Sequence, residues 1–366
     1  MRAPEPRSKS TGTQRLRRRS ADPPHASSLI STPANLDPEP SSSGIDRREF
    51  LKAAAFGAAA SLGASFALSD LARAATAPKC LFGAHAEPRG SETSISAITS
   101  LESKIGRKLG IARHYVDWDA SIPDPFQVWS AENGRIPYVS WQSWTKAGTI
   151  VPWKSIASGK WDSWIRKQAT SIKLSGYKMF FCFHHEPEDD PACGTASDFR
   201  AAWSRINSIF NNVGTPNLTW VCSLMRSTYT GAHGGPQNWL PATYNLVGSD
   251  GYNRWPCSAT TDHWRSFEEI FAPGRDAARS RGKGFFVGEC GTIEQTDCGH
   301  TGLSKTAKAK WFSDAVTTIK GWPEVKAVVY SHTMSRLNGV TLKYWADTST
   351  SSMAAFKAFA QDPYFN

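Results

Sequence analysis

The sequence predicts a (β/α)8 TIM barrel over residues 78–366, an α/β class with a single domain, and three observations carry that reading. Short apolar runs alternate with amphipathic segments, which implies parallel strands joined by right-handed crossovers. The runs number eight, in a stretch long enough for a barrel of roughly 250 residues. The competing open doubly wound sheet wants a Gly-rich phosphate turn after an early strand, and Phe82-Gly-Ala-His-Ala-Glu87 does not supply one.

Taken in order, Cys80–Ala84 is the first expected strand. Glu92–Gly106 follows as a helix, with Ile95, Ile98, Leu101 and Ile105 at helical spacing. Gly110–Trp118 is the second strand, Pro125–Glu132 a short helix and Ile136–Trp141 the third strand. Trp161–Leu174 reads as helix. The fourth strand begins at Tyr177, carries four aromatic residues (Tyr177, Phe180, Phe181, Phe183) and should stop at Glu186, because Pro187 has no amide hydrogen for a ladder. Ala196–Phe210 is helical, with Ser197 or Asp198 as candidate caps. Leu218–Leu224, Leu246–Asp250, Gly284–Gly288 and Val325–Tyr330 are strands five to eight. Helices are expected at Asp262–Arg281, Leu303–Lys320 and Ser349–Ala360.

Ahead of the barrel, residues 1–45 are rich in Pro, Ser and Arg, a composition that cannot bury a core and predicts a disordered extension. Residues 46–77 combine Arg47-Arg48, an apolar stretch Ala53–Leu68 and small-residue sites near Ala74 and Ala77. That is the pattern of a twin-arginine export signal, too short for a membrane span of about 20 residues. The expectation is a secreted mature chain with no membrane attachment after cleavage. Of the net charge of +10, +6 falls on 78–366, scattered without a basic run, which argues against nucleic acid as a partner. All seven cysteines follow the signal, so disulfides are permitted; Cys290–Cys298 is the first candidate pair and Cys193–Cys257 the second.

The chemistry is expected at the strand ends, where such barrels place their sites. Glu186 closes the fourth strand and Glu289 the seventh. A glycosidic bond needs a proton on a poor leaving group and stabilisation of a cation-like transition state, and two carboxyls meet both needs. Glu186 is the expected acid/base, its carboxyl pushed toward the neutral form by an apolar strand end, and Glu289 the expected nucleophile. Two glutamates that merely form ion pairs at the mouth are the plainer alternative. Candidate substrate contacts are His185, Tyr252, Trp141, Trp118, Trp255, His332 and His85, because each lies at or just past a strand end and flat aromatic faces stack on sugar rings. Trp144 and Trp345 belong to the same set, whereas Trp164, Trp203, Trp264 and Trp311 fall in helices. His184-His185-Glu186 is not the His-Glu-x-x-His of a metalloprotease helix, and no metal or cofactor is expected.

These residues resemble glycoside hydrolase family 26, the β-mannanase family of the 4/7 barrel superfamily. The resemblance rests on Phe183-His-His-Glu186, Val247-Gly-Ser-Asp-Gly-Tyr-Asn253 and Gly288-Glu-Cys-Gly291, with His185 before the acid/base as its most specific mark. It implies a retaining mechanism, carboxyls about 5–5.5 Å apart, and endo-1,4-β-mannanase as the first activity. The segment Pro187–Cys193, Ser140-Trp-Gln-Ser-Trp144 and Tyr330-Ser-His332 depart from the family pattern, so β-1,3-xylan and mixed-linkage β-glucan stand as other substrates. A carbohydrate-binding barrel without catalysis is the third reading. In each case the expected partner is a polysaccharide and the expected state a monomer.

Overall fold

In this computed structural model, residues 79–254, 263–294, 304–337 and 339–365 are described. Eight parallel strands close into a barrel in the order β1 to β8. The elements are β1 (Leu81–Ala86), α1 (Ser94–Ile105), β2 (Ile111–Val116), α2 (Pro125–Glu132), β3 (Ile136–Trp141), α3 (Trp153–Ala157), α4 (Asp162–Ser175), β4 (Met179–Phe183), α5 (Ala196–Val213), β5 (Leu218–Met225), α6 (Arg226–Tyr229), α7 (Pro236–Trp239), β6 (Leu246–Asn253), α8 (Phe267–Ser280), β7 (Gly284–Thr292), α9 (Ala307–Lys320), β8 (Val325–His332), the hairpin β9 (Met334–Leu337) and β10 (Val340–Lys343), and α10 (Thr350–Gln361). The predicted barrel is the observed one. The extension, the signal, Trp255, Cys257 and Cys298 lie outside the described residues.

Strand alternation sorts the side chains into two layers. Ile111, Tyr138, Phe180, Cys182, Val221, Phe286, Ala327 and Val329 form the plug inside the barrel. Their sequence neighbours, such as Phe181, Phe183, Val139 and Trp220, face outward beneath the helices. Helix α5 shows why the outer layer closes: Phe199, Ala202, Trp203, Ile206 and Phe210 recur every three or four residues and are all buried. Its cap is Thr195 rather than Ser197 or Asp198. The Thr195 hydroxyl accepts from the Asp198 amide at 3.2 Å, and the Asp198 carboxylate returns the contact to the Thr195 amide at 3.1 Å.

Two expectations are corrected. Strand β4 ends at Phe183, not Glu186, because His184 and Glu186 both turn into the left-handed region (φ 51° and 49°), which a continuing strand cannot contain. The hairpin β9–β10 was not foreseen; Met334–Leu337 and Val340–Lys343 are too short to show a two-residue period. Among the described residues, no helix is long and apolar enough to cross a membrane. Cys290 is buried with its thiol 3.6 Å from the Val329 carbonyl, and Cys193 is buried at the end of the loop after β4. Their candidate partners Cys298 and Cys257 are outside the described residues.

Candidate active site

The inward positions of β2 read Ile111, Arg113, Tyr115, so a guanidinium sits directly above the apolar plug, 1% exposed. A buried cation demands a counter-charge. Arg113 Nη2 lies 3.0 Å from Glu289 Oε1, and its Nη1 donates to the Gly288 carbonyl at 2.7 Å. Nη2 also donates to Ser140 Oγ at 3.1 Å.

Glu289 reaches this position through an irregularity in the sheet. Phe285 and Val287 pack with the outer layer and Phe286 with the plug, so plain alternation would send Glu289 outward. The register between β6 and β7 slips at Gly288: Ser249 faces Val287, but Asp250 faces Glu289. The extra residue turns Glu289 inward and Cys290 outward. A glycine is required at the slip, since a Cβ on Gly288 would lie 2.4 Å from Asp250 Oδ1 and 2.7 Å from Ser223 Oγ.

Around Glu289 the hydrogen bonds are dense. Tyr115 donates to Oε1 at 2.7 Å, Tyr252 donates to Oε2, and His185 Nε2 lies 3.3 Å from Oε1. Burial opposes ionisation of this carboxyl, but Arg113, His185 and the two tyrosine hydroxyls outweigh it and hold Glu289 well below the usual carboxylate range. With its one hydrogen on Glu289, the Tyr252 hydroxyl accepts from Ser331 Oγ at 3.0 Å, which fixes its ring against β8. Beside it, Asp250 goes the other way. Burial, then the Glu289 charge, pushes its carboxyl up to about 8, and Ser223 Oγ donates to its Oδ1 at 2.7 Å. This buried cluster thus sets one cation, Arg113, and one anion, Glu289, beside one neutral acid, Asp250.

His185 completes the cluster. Gln142 Nε2 lies 2.8 Å from His185 Nδ1 and so donates to it, which leaves the ring's hydrogen on Nε2, toward Glu289. The ligand atoms of His185, Asp250 and Glu289 all lie within 4.8 Å of one another. The set suits a cation poorly, because Arg113 already neutralises Glu289 and Asp250 keeps its proton near neutral pH. Glu186 stands at the head of β4, 8% exposed, with its amide donating to the Ser223 carbonyl at 3.0 Å. Ser223 therefore touches both the Glu186 backbone and the Asp250 side chain. His184 turns away from the site. The Ser143 amide donates to its Nδ1 at 3.2 Å, its Nε2 donates to Asp190 at 2.9 Å, and Trp144 and Trp153 pack edge-on against its ring.

Of the sequence-derived candidates, Glu289, His185 and Tyr252 converge, with His85 beside them. His85 Nδ1 donates to the Arg113 carbonyl at 3.2 Å, its ring meets Tyr115 edge-on, and burial first of all lowers its pKa to about 4. Trp118 and Trp141 are corrections. Both belong to the outer layer, 1% and 0% exposed, stacked on each other with centroids 4.3 Å apart, so neither offers a face to a sugar. The reason is parity: Ser140 and Gln142 point inward, and Trp141 between them cannot. His332 is a third correction. It follows the inward Ser331, and its ring accepts from the Ala346 amide at 3.0 Å and faces Arg89 and Asp347, so it braces the segment after β10. Trp144 and Trp345 are half-buried, the latter with the Arg89 guanidinium 4.3 Å over its ring. Sequence reasoning missed Arg113, Tyr115 and the proton-bearing role of Asp250. The one available signal was a charged residue between Ile111 and Tyr115 at inward spacing.

Fold and site together define a class, (β/α)8 barrels with buried carboxyl groups gathered at the ends of the strands. The resemblance to family 26 is matched by comparison with known proteins. Endoglucanase H of Acetivibrio thermocellus is 27% identical over 261 residues, 66% of this chain and 27% of the relative, so the chain spans about a quarter of that protein. No family model matches. Among solved structures, the family 26 β-mannanase of Bacteroides ovatus shares the fold with a TM-score of 0.56 at 15% identity, over 82% of this chain and 93% of that one. A β-mannanase from a symbiotic protist of the termite Reticulitermes speratus, solved with a gluco-manno-oligosaccharide, has a TM-score of 0.51 at 15% identity, over 79% and 88%.

Proposed function

We propose that this chain is a retaining endo-β-glycanase, with Glu289 as nucleophile and Glu186 as acid/base. The observation that carries the reading is a glutamate kept ionised in a buried cluster by Arg113, Tyr115 and Tyr252 at the end of β7, with a second glutamate at the end of β4. In the first step Glu289 attacks the anomeric carbon while Glu186 gives its proton to the departing glycosidic oxygen. In the second, Glu186 takes a proton from water, whose oxygen displaces Glu289 and returns it as a carboxylate. Tyr252 and Tyr115 hold Glu289 anionic before attack and release it as its charge is spent. His185 and His85 contact sugar hydroxyls.

The substrate we assign is a β-1,4-linked mannan, in line with the mannanases that share the fold. A second reading, β-glucan, is favoured by the relative named as an endoglucanase. We place the mature enzyme outside the cell, exported through the signal at 46–77, acting as a monomer. Reducing-sugar release from glucomannan, galactomannan, β-1,3-xylan and barley β-glucan tests substrate and machinery together, with Glu186→Ala and Glu289→Ala alongside. Activity on one polymer that both variants lose supports the reading. Activity that survives Glu289→Ala sinks it, and a well-folded protein silent on all four points to a carbohydrate-binding barrel. Recovery of a chain beginning near residue 78 from the medium tests export.

A further inference from the structure

Two residues past Glu186, the short 3₁₀ turn Pro187–Asp189 carries a second glutamate that the proposed chemistry does not use. Glu188 is 5% exposed. Its Oε1 accepts from the Met225 amide at 2.6 Å and from the Thr228 hydroxyl at 2.6 Å, while Oε2 is buried with no hydrogen-bond partner among the described residues. The same turn is tied once more to β5, because the Glu186 amide donates to Ser223. The Asp189 amide closes the turn on the Glu186 carbonyl at 3.1 Å. Glu186 itself is held at φ 49°, ψ 49°, a conformation that costs a non-glycine residue on the order of 1 kcal/mol and persists only if its surroundings enforce it.

We propose that Glu188 is a positioning residue for Glu186, a clamp that fastens the turn carrying that carboxyl to the end of β5 and the start of α6. The proposal rests on Glu186 as the acid/base. The clamp works in its neutral form: with the proton on Oε2, Oε1 still serves both donors, and a bare buried oxygen costs far less uncharged than charged. Burial, the largest cause, pushes this carboxyl up to about 7 against the pull of Thr228 and Met225, and Asp189 adds to the rise. The titratable groups around it are Asp189 on its own turn, Cys222 on β5, Tyr229 on α6 and Asp250 on β6. Ionisation of Glu188 would draw water to Oε2 and loosen the turn, so the clamp gives Glu186 an upper pH limit of its own.

The test compares the wild type with Glu188→Gln, which keeps the acceptor but cannot ionise, and Glu188→Ala, which removes it. Hydrogen exchange of segment 184–190 at pH 6 and pH 8.5 needs no substrate. Glu188→Ala should exchange faster there with the rest of the barrel unchanged. Glu188→Gln should match the wild type at pH 6 and stay protected at pH 8.5, where the wild type loosens. On whichever of glucomannan or barley β-glucan the wild type cleaves, Glu188→Ala should lower kcat about tenfold or more with KM nearly constant. Glu188→Gln should restore kcat and carry the alkaline limb upward by about one pH unit. Exchange and pH profiles of Glu188→Gln identical to wild type would overturn the clamp even if Glu188→Ala fails to fold. If the wild type cleaves none of the four polymers but the exchange pattern appears, the clamp on the turn stands and the enzyme reading falls.

Discussion

Arg113 and Tyr115 decide the charge of the nucleophile we propose, so they carry the sharpest tests. Removing a buried partner leaves an unpaired buried charge, which costs about 3–5 kcal/mol. Arg113→Met should therefore destabilise the fold by that order in urea denaturation. Its second consequence concerns pH. Glu289 is held well below the usual range by Arg113 among others, so the wild-type acid limb of kcat/KM lies below a free glutamate's value of about 4.3. In Arg113→Met the limb should move upward, toward or past it. An unmoved limb would mean that Glu289 is not the group titrating. Tyr115→Phe removes one of the two hydroxyl donors and should lower kcat/KM about tenfold, the effect of about 1.4 kcal/mol, with the urea midpoint nearly unchanged.

At the scale of elements, β7 is where backbone geometry makes the site. Gly288→Ala would force a methyl between Asp250 Oδ1 and Ser223 Oγ. Over-packing of this kind costs roughly 1–3 kcal/mol, and relief by straightening the strand would rotate Glu289 away. The expected outcome is a folded barrel, destabilised by that amount in urea, whose activity falls far more than its stability. Full activity in Gly288→Ala would show that the slip does not aim the carboxylate. The same element marks the limit of what the sequence discloses. The eight barrel strands and the longer helices between them are legible because their apolar spacing is local, whereas the four- and five-residue helices α3, α6 and α7 are too short to show a period; Glu186, Glu289, His185 and Tyr252 are legible because polar residues at strand ends stand out. The inward turn of Glu289 was not, since parity alone sends it out with Phe285 and Val287. Trp118 and Trp141 misled for the converse reason. A tryptophan at a strand end looks like a platform until alternation is counted from Arg113 and Ser140, and that count needs the register. Trp141→Ala should accordingly cost about 3–5 kcal/mol of stability and leave KM for the polymer unaltered.

Across the whole molecule, the buried groups of opposite behaviour combine into one pH profile of stability. Asp250 and Glu188 keep their protons in the fold up to about 8 and about 7, while the unfolded chain releases them near 4. Each therefore contributes stability that is full at low pH and is lost as pH rises through that window. His85 and His332, lowered by burial to about 4 and about 3, do the reverse. The unfolded chain binds protons there that the fold refuses, so stability rises until the histidines' ordinary value near 6.5. Glu289, being depressed, has its full effect above the ordinary carboxylate range and adds no slope beyond it. Between about pH 4.5 and 6.5 two falling and two rising contributions nearly cancel. Above about 6.5 only the acids remain, and stability should fall by on the order of 1 kcal/mol per pH unit until about pH 8. Urea midpoints measured from pH 4.5 to 8.5 give this curve directly. Asp250→Asn removes the largest falling contribution, so its midpoint should climb from pH 4.5 to 6.5 and then lose less than the wild type. A wild-type midpoint that still climbs between pH 6.5 and 8, or an Asp250→Asn curve parallel to it, would mean that Asp250 does not carry the proton beside Glu289.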